Sequence, residues 1–423
     1  MWFHVDINNF YVSAERVFQP KYNNRPVVVL SNNDGCAISR SDEAKALKIP
    51  MGAVYFQWEK FFQENDVAVF SSNYILYGDL SHRVMQILES FTPELEIYSI
   101  DEAFGKLDGF SNKYDKDFEM KKYCLEIKRR MLKWLGLPVS IGIGPTKALA
   151  KMATRVAKKF PEETKGVHLI NTEELRIKAL RWLEVGDIWG IGRQYAKLLE
   201  KNNVRTALDF TELPDDWVSN KMSIVELRLQ HDLRGIRTLD FEKIQKRKNI
   251  GRSRSFDKAI LDLDGISERL ASCAVKVANE LRKQETVCKG VSIYITTGNH
   301  AENPISRKFS FVLDVASNCD IELNKYCQMM LKIIYKPGYI YKKAGVNVYD
   351  LVPENEVQLN LFAPALDEKR KVLMKTMDNL KSRYGQNCVK LARQPKEDFK
   401  MRRNFLSREY TTKLSDILKV TCF

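Results

Sequence analysis

Two neighbouring carboxylates at the end of an apolar run constrain this chain more than any other feature. In Glu96-Ile97-Tyr98-Ser99-Ile100-Asp101-Glu102-Ala103-Phe104, Glu96, Tyr98 and Ile100 fall on one side of an extended segment and Ile97 and Ser99 on the other. The run continues through Gly105-Lys106-Leu107 and stops at Asp108-Gly109, a turn signal. Adjacent acids in a regular strand point to opposite faces. At the tip of a hairpin they converge, and they then repel unless a cation sits between them. Mg²⁺ suits such a place, because one or two carboxylates plus substrate phosphates hold it. Taken alone, an Asp-Glu pair at a loop tip is more simply a solvated pair.

A second stretch changes that reading. Met1-Trp2-Phe3-His4-Val5-Asp6-Ile7-Asn8-Asn9-Phe10-Tyr11 opens as an apolar strand and carries a single carboxylate where the apolar run ends. A central strand presenting Asp6 beside a hairpin presenting Asp101 and Glu102 supplies three acids, enough for two divalent ions. Such ions, roughly 3.5–4 Å apart, clamp the attacking and leaving oxygens of an in-line phosphoryl displacement.

At these residues the sequence resembles the Y-family translesion DNA polymerases, and within them the UmuC branch. Asp6-x-Asn8-x-Phe10-Tyr11 and Tyr98-Ser99-Ile100-Asp101-Glu102-Ala103-Phe104 carry the likeness. Pro26-Val27-Val28-Val29-Leu30-Ser31-Asn32-Asn33-Asp34-Gly35-Cys36, Phe70-Ser71-Ser72-Asn73-Tyr74 and Trp189-Gly190-Ile191-Gly192-Arg193 extend it nearly end to end. The resemblance implies an α/β multi-domain chain of right-hand polymerase form. Its parts would be a palm (1–19 and 76–165), small fingers (20–75), a helix-hairpin-helix thumb (166–236) and a basic linker (237–249). A split βαβ little finger (250–352) and a clamp-binding linker with a UmuC-type extension (353–423) would follow.

The implied reaction is template-directed, error-prone DNA synthesis across damaged template, with two Mg²⁺ ions as cofactor. Asp6 and Asp101 would bridge the ions, Glu102 would hold the one that activates the primer 3′-hydroxyl, and the Ile7 carbonyl would complete the nucleotide-side ion. Tyr11, with Phe10 beside it, would lie under the sugar of the incoming nucleotide and clash with a 2′-hydroxyl. Lys45 and Lys158 fall where the family places its triphosphate cations. Primer-template DNA, deoxynucleoside triphosphates, the bacterial sliding clamp, a processed UmuD-like dimer and a recombinase filament are the implied partners.

Composition agrees with that expectation. A chain of 423 residues suggests roughly three or four domains. Lys+Arg 68 against Asp+Glu 54 leaves +14, an excess that points to a polyanionic partner. No apolar run approaches the ~18 residues needed to span a bilayer, and no secretory signal is expected. The eight cysteines show no C-x-x-C spacing, which fits reduced thiols in a cytoplasmic protein.

Local patterns place the remaining candidates. After a helix over Val12–Phe18, a strand from Pro26 to Leu30, a turn at Asn32–Gly35 and a strand from Cys36 to Ser39 lead to a helix capped near Ser41. This unit would put Ser39, Arg40 and Lys45 on a single surface suited to a triphosphate and base. Helices over Leu80–Phe91 and Asp117–Leu135 precede a strand, Pro138–Gly144, and a helix, Thr146–Phe160. Gly142-x-Gly144-x-Thr146-Lys147 lacks the spacing of a phosphate-binding loop. Lys151 and Lys159 read as a solvated basic face.

The chain turns helical from about Gly166, and Gly190, Gly192 and Arg193 form a glycine-rich turn whose backbone N–H groups suit a DNA phosphate. Lys243 to Arg254 holds six basic residues and no acid, with Arg252 and Arg254 on one face of a strand. Helices over Ile266–Gln284 and Ile321–Ile334 alternate with strands in β-α-β-β-α-β order. In the stretch from Pro353, Gln358-Leu359-Asn360-Leu361-Phe362 resembles the sliding-clamp motif, with Gln358 and Leu359 leading to Leu361 and Phe362 as pocket fillers. An inert clamp-recruited DNA-binding scaffold, a metal-dependent nuclease and a nucleotide cyclase are the competing classes. None of them requires Asp6, Asp101, Glu102, Lys45 and Tyr11 together with thumb and basic strand.

Overall fold

The structure is a computed structural model and describes residues 1–107, 116–241, 246–298, 301, 303–357, 368–396 and 401–419. The chain forms two compact units, Met1–Lys243 joined by Arg403–Phe423, and Ile244–Arg402. In chain order the first unit carries β1 (Trp2–Ile7), β2 (Val27–Leu30), β3 (Ala37–Arg40), β4 (Ala68–Ser71), β5 (Leu95–Ile97), β6 (Glu102–Lys106), β7 (Val139–Gly144) and β8 (Val167–Leu169).

The palm is a five-stranded sheet in the order β5-β6-β1-β7-β8. β1 lies at its centre, antiparallel to both neighbours, and is buried along nearly its whole length because both faces are covered. Phe3, Val5 and Ile7 join a core with the helices Phe10–Phe18, Tyr74–Glu89 and Lys116–Leu135. Trp2, His4 and Asp6 alternate to the opposite face, under the helix Lys147–Lys159.

Three expected boundaries move. Glu96–Phe104 is not one extended run, since β5 ends at Ile97 and the chain reverses before β6. The reversal is closed by the N–H groups of Tyr98 and Ser99, which both donate to the Glu102 carbonyl (3.0 and 3.1 Å). The palm helix starts at Tyr74 rather than Leu80, because the Asn73 side chain accepts the Leu76 N–H (3.4 Å) and caps it. The palm sheet runs past residue 165, with β8 parallel to β7 before the thumb helices begin at Glu173.

The fingers sheet is β3-β2-β4. Val28, Leu30 and Ala37 pack there against Phe62 and Tyr55 of the helix Tyr55–Glu64. Ser41 accepts the Ala44 N–H (3.2 Å) and caps the helix Asp42–Ala46. The thumb gathers short helices around Leu180, Leu199, Phe210 and Val218.

The second unit contains β9 (Ile250–Ile260), β10 (Thr286–Thr296), β11 (Ser306–Ser317) and β12 (Tyr341–Pro353) in the order β11-β10-β12-β9. Every neighbouring pair is antiparallel, so β9 and β10 run parallel with β12 between them, the split βαβ arrangement. The helices Leu263–Lys283 and Asp320–Ile334 close the core of this unit. The expected extension from 353 to 423 is divided. Its helix Glu368–Tyr384 docks within the second unit through Arg282, which donates to Asp378 (2.6 Å) and Asp320 (2.7 Å). Its last described residues belong to the first. Among the described residues no helix is long and apolar enough to cross a membrane.

Within the first unit Glu15 is fully buried and accepts the Tyr77 hydroxyl (2.7 Å). Burial pushes its carboxyl up to about 7, against the pull of its hydrogen bonds. A folded-state value raised above the ordinary one stabilises the fold at pH below the unfolded value, and this stabilisation is lost as pH rises through about 7. Melting curves at constant salt should therefore show stability falling between pH 5 and 8 by on the order of 3 kcal/mol. Glu15→Gln should flatten that slope.

Candidate active site

Backbone pairing assembles the acids. Asp6 lies opposite Glu102 in the β1–β6 register. The Ile7 N–H donates to the Asp101 carbonyl (3.0 Å) and pins the reversal to the end of β1. The three expected carboxylates thus come from two adjacent strand ends. Asp101 Oδ1 accepts the Ser99 hydroxyl (2.6 Å), Glu102 Oε1 accepts Lys151 Nζ (2.7 Å), and Asp6 pairs with Lys158.

The electrostatics show how crowded the site is. Burial raises the Asp6 carboxyl to about 6; Lys158 opposes the shift, and the Glu102 and Asp101 charges add to it. His4 is buried beside them, its Nδ1 2.9 Å from Thr154 Oγ1 and its Nε2 3.7 Å from Glu102 Oε1. Burial, then Lys151 and Lys158, hold its imidazole well below the usual range, so it is neutral. Nε2 has no hydrogen-bond partner. Among the described residues no three His, Cys, Asp or Glu side chains converge as a ready metal cage. Each acid is turned to an ammonium or a hydroxyl instead. Carboxylate and carbonyl oxygens that already draw two ammonium groups are the donor set a hard divalent cation prefers, so these residues fit one.

The lysines arrive on the helix Lys147–Lys159. Gly142 lets that helix lie on β7, for a Cβ there would stand 2.1 Å from Thr154 N and 2.2 Å from Ala150 O. Lys147, Lys151, Arg155 and Lys158 recur at helical spacing and form one stripe. Lys147 is buried against Glu96 (2.8 Å) and the rings of Trp2 and Phe104. Lys151, expected on a solvated face, is instead bound to Glu102 and lies 4.5 Å from the Tyr98 ring. Lys159 is exposed, as expected. A cavity of about 400 Å³ opens here, lined by His4, Asp6, Glu102, Lys151, Lys158 and Trp189 among others.

Toward the fingers, Lys45 Nζ donates to Asn9 Oδ1 (2.6 Å) and Asp42 Oδ1 (2.8 Å), and Ser39 Oγ donates to the Asn9 carbonyl (3.4 Å). Arg40 does not share that surface. It follows Ser39 in β3, turns to the other face and donates to the Ile49 carbonyl. Phe10 is also not at the surface expected of it, being buried in the palm core. Tyr11 is half-buried and stacks on Tyr77 (centroids 4.6 Å, 17°).

Farther out, Gly190 takes φ +93°, which glycine adopts freely, and exposed Gly192 and Arg193 begin a helix that no side chain caps. Its first N–H groups are therefore open to an anion. Arg252 and Arg254 share a face, but it is the helix-packed one, alongside Ile250 and Phe256, and Arg252 lies 3.5 Å from Glu280. Gln358, Leu359, Leu361 and Phe362 lie outside the described residues. Sequence reasoning missed His4, Asn9 and Lys151 as site residues. Only Lys151 had a signal, its helical phase with Lys158.

A palm sheet with paired acids at adjacent strand ends, small fingers, a helical thumb and a split βαβ unit together define a Y-family DNA polymerase fold. A Y-family chimera of the polymerases Dbh and Dpo4 matches with TM-score 0.65 at 18% identity, covering 83% of this chain and 99% of that one. An insertion ternary complex of Dbh matches over the same shares with TM-score 0.53. In sequence, residues 5–155 match the impB/mucB/samB family, 247–361 its C-terminal domain, and 371–420 a domain of unknown function. Protein UmuC of Salmonella typhimurium is 37% identical over 425 residues, covering 98% of this chain and 99% of that one. Protein MucB of Escherichia coli is 31% identical over 413 residues, 96% of each chain, and DNA polymerase IV 1 of Bacillus subtilis is 26% identical over 426 residues, again 96% of each. The chain belongs to the impB/mucB/samB family.

Since a Cβ at Gly142 meets backbone rather than a movable side chain, Gly142→Ala should displace the lysine-bearing helix. We expect a stability loss of about 1–3 kcal/mol in denaturant titration, together with weakened primer extension.

Proposed function

We propose that this Y-family polymerase, which carries out DNA-directed synthesis across damaged template as its family does, works by two-metal nucleotidyl transfer at Asp6, Asp101 and Glu102. The observation that carries the reading is the register of Asp6 against Glu102, with the Asp101 carbonyl bonded to Ile7. Dependence on divalent metal comes with the family. The finer assignment is two Mg²⁺ ions held by the three acids and the Ile7 carbonyl, which would supply the charge that activates the primer 3′-hydroxyl and steadies the departing pyrophosphate.

The chain's own groups do the rest. Lys158 and Lys45, paired with Asp6 and Asp42 in the free chain, exchange those partners for triphosphate oxygens. Lys151 holds Glu102 from behind through its ammonium and so orients the carboxylate. Tyr11 closes the space where a ribose 2′-hydroxyl would stand. The open helix start at Gly192 and Arg193 takes a DNA phosphate, and on edge strand β9 Arg252 and Arg254 swing out from the helix-packed face, where Arg252 lies near Glu280, to follow the duplex backbone. A three-stranded fingers sheet gives little surface for testing base-pair shape, which favours bypass over fidelity.

Recruitment to the sliding clamp through Gln358–Phe362, a UmuD-like dimer and a recombinase filament complete the proposal, and DNA as substrate puts the work in the bacterial cytoplasm, at the nucleoid.

Primer extension with Mg²⁺ tests the core of it. Asp101→Ala should cut synthesis at least about a hundredfold with DNA affinity nearly unchanged, and Tyr11→Ala should admit ribonucleotides; extension near the original rate by the first variant would defeat the assignment. Changing Leu361 and Phe362 to Ala should abolish capture by immobilised clamp, and capture that survives would remove the clamp from the scheme.

A further inference from the structure

The segment matched only to a domain of unknown function ends in a stretch bonded to both the fingers and the palm. Toward the fingers, the Asn404 N–H donates to Asp34 Oδ2 (2.8 Å) and the Phe405 N–H to Ser71 Oγ (3.0 Å). The Phe405 carbonyl accepts the Ser71 N–H (3.0 Å), so residue 405 pairs with the end of β4 through both backbone groups. Its ring packs on Tyr55 at 5.3 Å. Toward the palm, Asn73 Nδ2 donates to the carbonyls of Ser407 (3.3 Å) and Arg408 (3.2 Å), and Tyr410 stacks on Phe18 at 4.7 Å. These contacts are directional and partly buried, unlike those of a tail lying on a surface.

One of them leads to the sugar site. Ser407 Oγ donates to Glu15 Oε1 (2.9 Å), the same oxygen that accepts the Tyr77 hydroxyl (2.7 Å). Tyr77 is fully buried, and its ring is the one on which Tyr11 stacks. Asn73, held by the same segment, caps the helix that carries Tyr77 and Tyr74, and Tyr74 meets Tyr11 edge-on at 5.8 Å. Two of the three rings packed on Tyr11, Tyr77 and Tyr74, are therefore fixed by groups that the segment itself holds; the third is Phe10, at 5.5 Å. A buried carboxylate deprived of one donor moves toward what remains, and its tyrosine moves with it.

We propose that Asn404–Tyr410 is a strap that positions Tyr11 through Glu15 and Tyr77, so that the C-terminal segment sets sugar discrimination in the fingers–palm pocket. Ser407 is its positioning residue. The inference rests on the reading of Tyr11 given above.

Single-nucleotide insertion by the full chain, with a deoxynucleotide and its matching ribonucleotide, tests it. Ser407→Ala should lower the deoxy-to-ribo preference about fivefold, through KM for the ribonucleotide, with kcat for the deoxynucleotide within about twofold. Ser407→Thr keeps the hydroxyl and should restore the preference. In a Tyr11→Ala background Ser407→Ala should change nothing further, since the group it positions is gone. A chain ending at Arg402 should lose at least as much preference; should it fail to fold, the Ser407 pair still decides. If Tyr11→Ala abolishes discrimination while Ser407→Ala leaves it intact, or lowers both substrates equally in either background, the strap is overturned and the Tyr11 reading stands. If Tyr11→Ala leaves discrimination intact, the underlying reading fails and this inference fails with it.

Discussion

The structure turns on mutual repulsion among three carboxylates at the ends of β1 and β6. Charges taken out of water are costly unless paired, and here a single helix supplies the ammonium groups for Asp6 and Glu102 while the Ser99 hydroxyl serves Asp101. That helix reaches the acids only because β7 presents Gly142 and Gly144 to it, and a side chain at either would meet its backbone. The sheet, the bare strand and the basic helix are thus one device for holding negative charge ready for cations.

The same logic extends to the fingers. Lys45 is shared between Asn9 and Asp42, and Asn9 stands in the left-handed region (φ 47°) between β1 and the helix that carries Tyr11. On the proposed reading, the cations that neutralise these acids become the groups that receive phosphate. The site then changes partners on binding without having to build new charge. Glu15, Tyr77 and Ser407 show a different economy, in which a buried polar cluster fixes aromatic rings that apolar packing alone would leave less well defined.

The acids were legible because their signal is local: an apolar strand that ends on an aspartate, and two adjacent acids where an extended run breaks. Element boundaries slipped where a cap decided them, as at Asn73, or where a turn was hidden in alternating residues, as at Tyr98–Asp101. Arg40 and Ser39 were joined on one surface although strand alternation separates neighbours. Phe10 was given a ligand role when its helical phase turns it into the core. Lys151 looked solvated because its partner Glu102 is distant in the chain, and its helical phase with Lys158 was the one local sign of its side.

By itself the sequence determined the family and the order of the parts, and it pointed to the three acids that meet at the ends of β1 and β6, since each is written in residues close to one another or in a pattern of fixed period. Tertiary structure alone decided which cation meets which acid, which side of the last sheet bears Arg252 and Arg254, and where the final segment returns. Those outcomes depend on the packing of distant elements. A buried donor or acceptor takes whichever partner the fold brings within reach, and only the assembled fold specifies that partner.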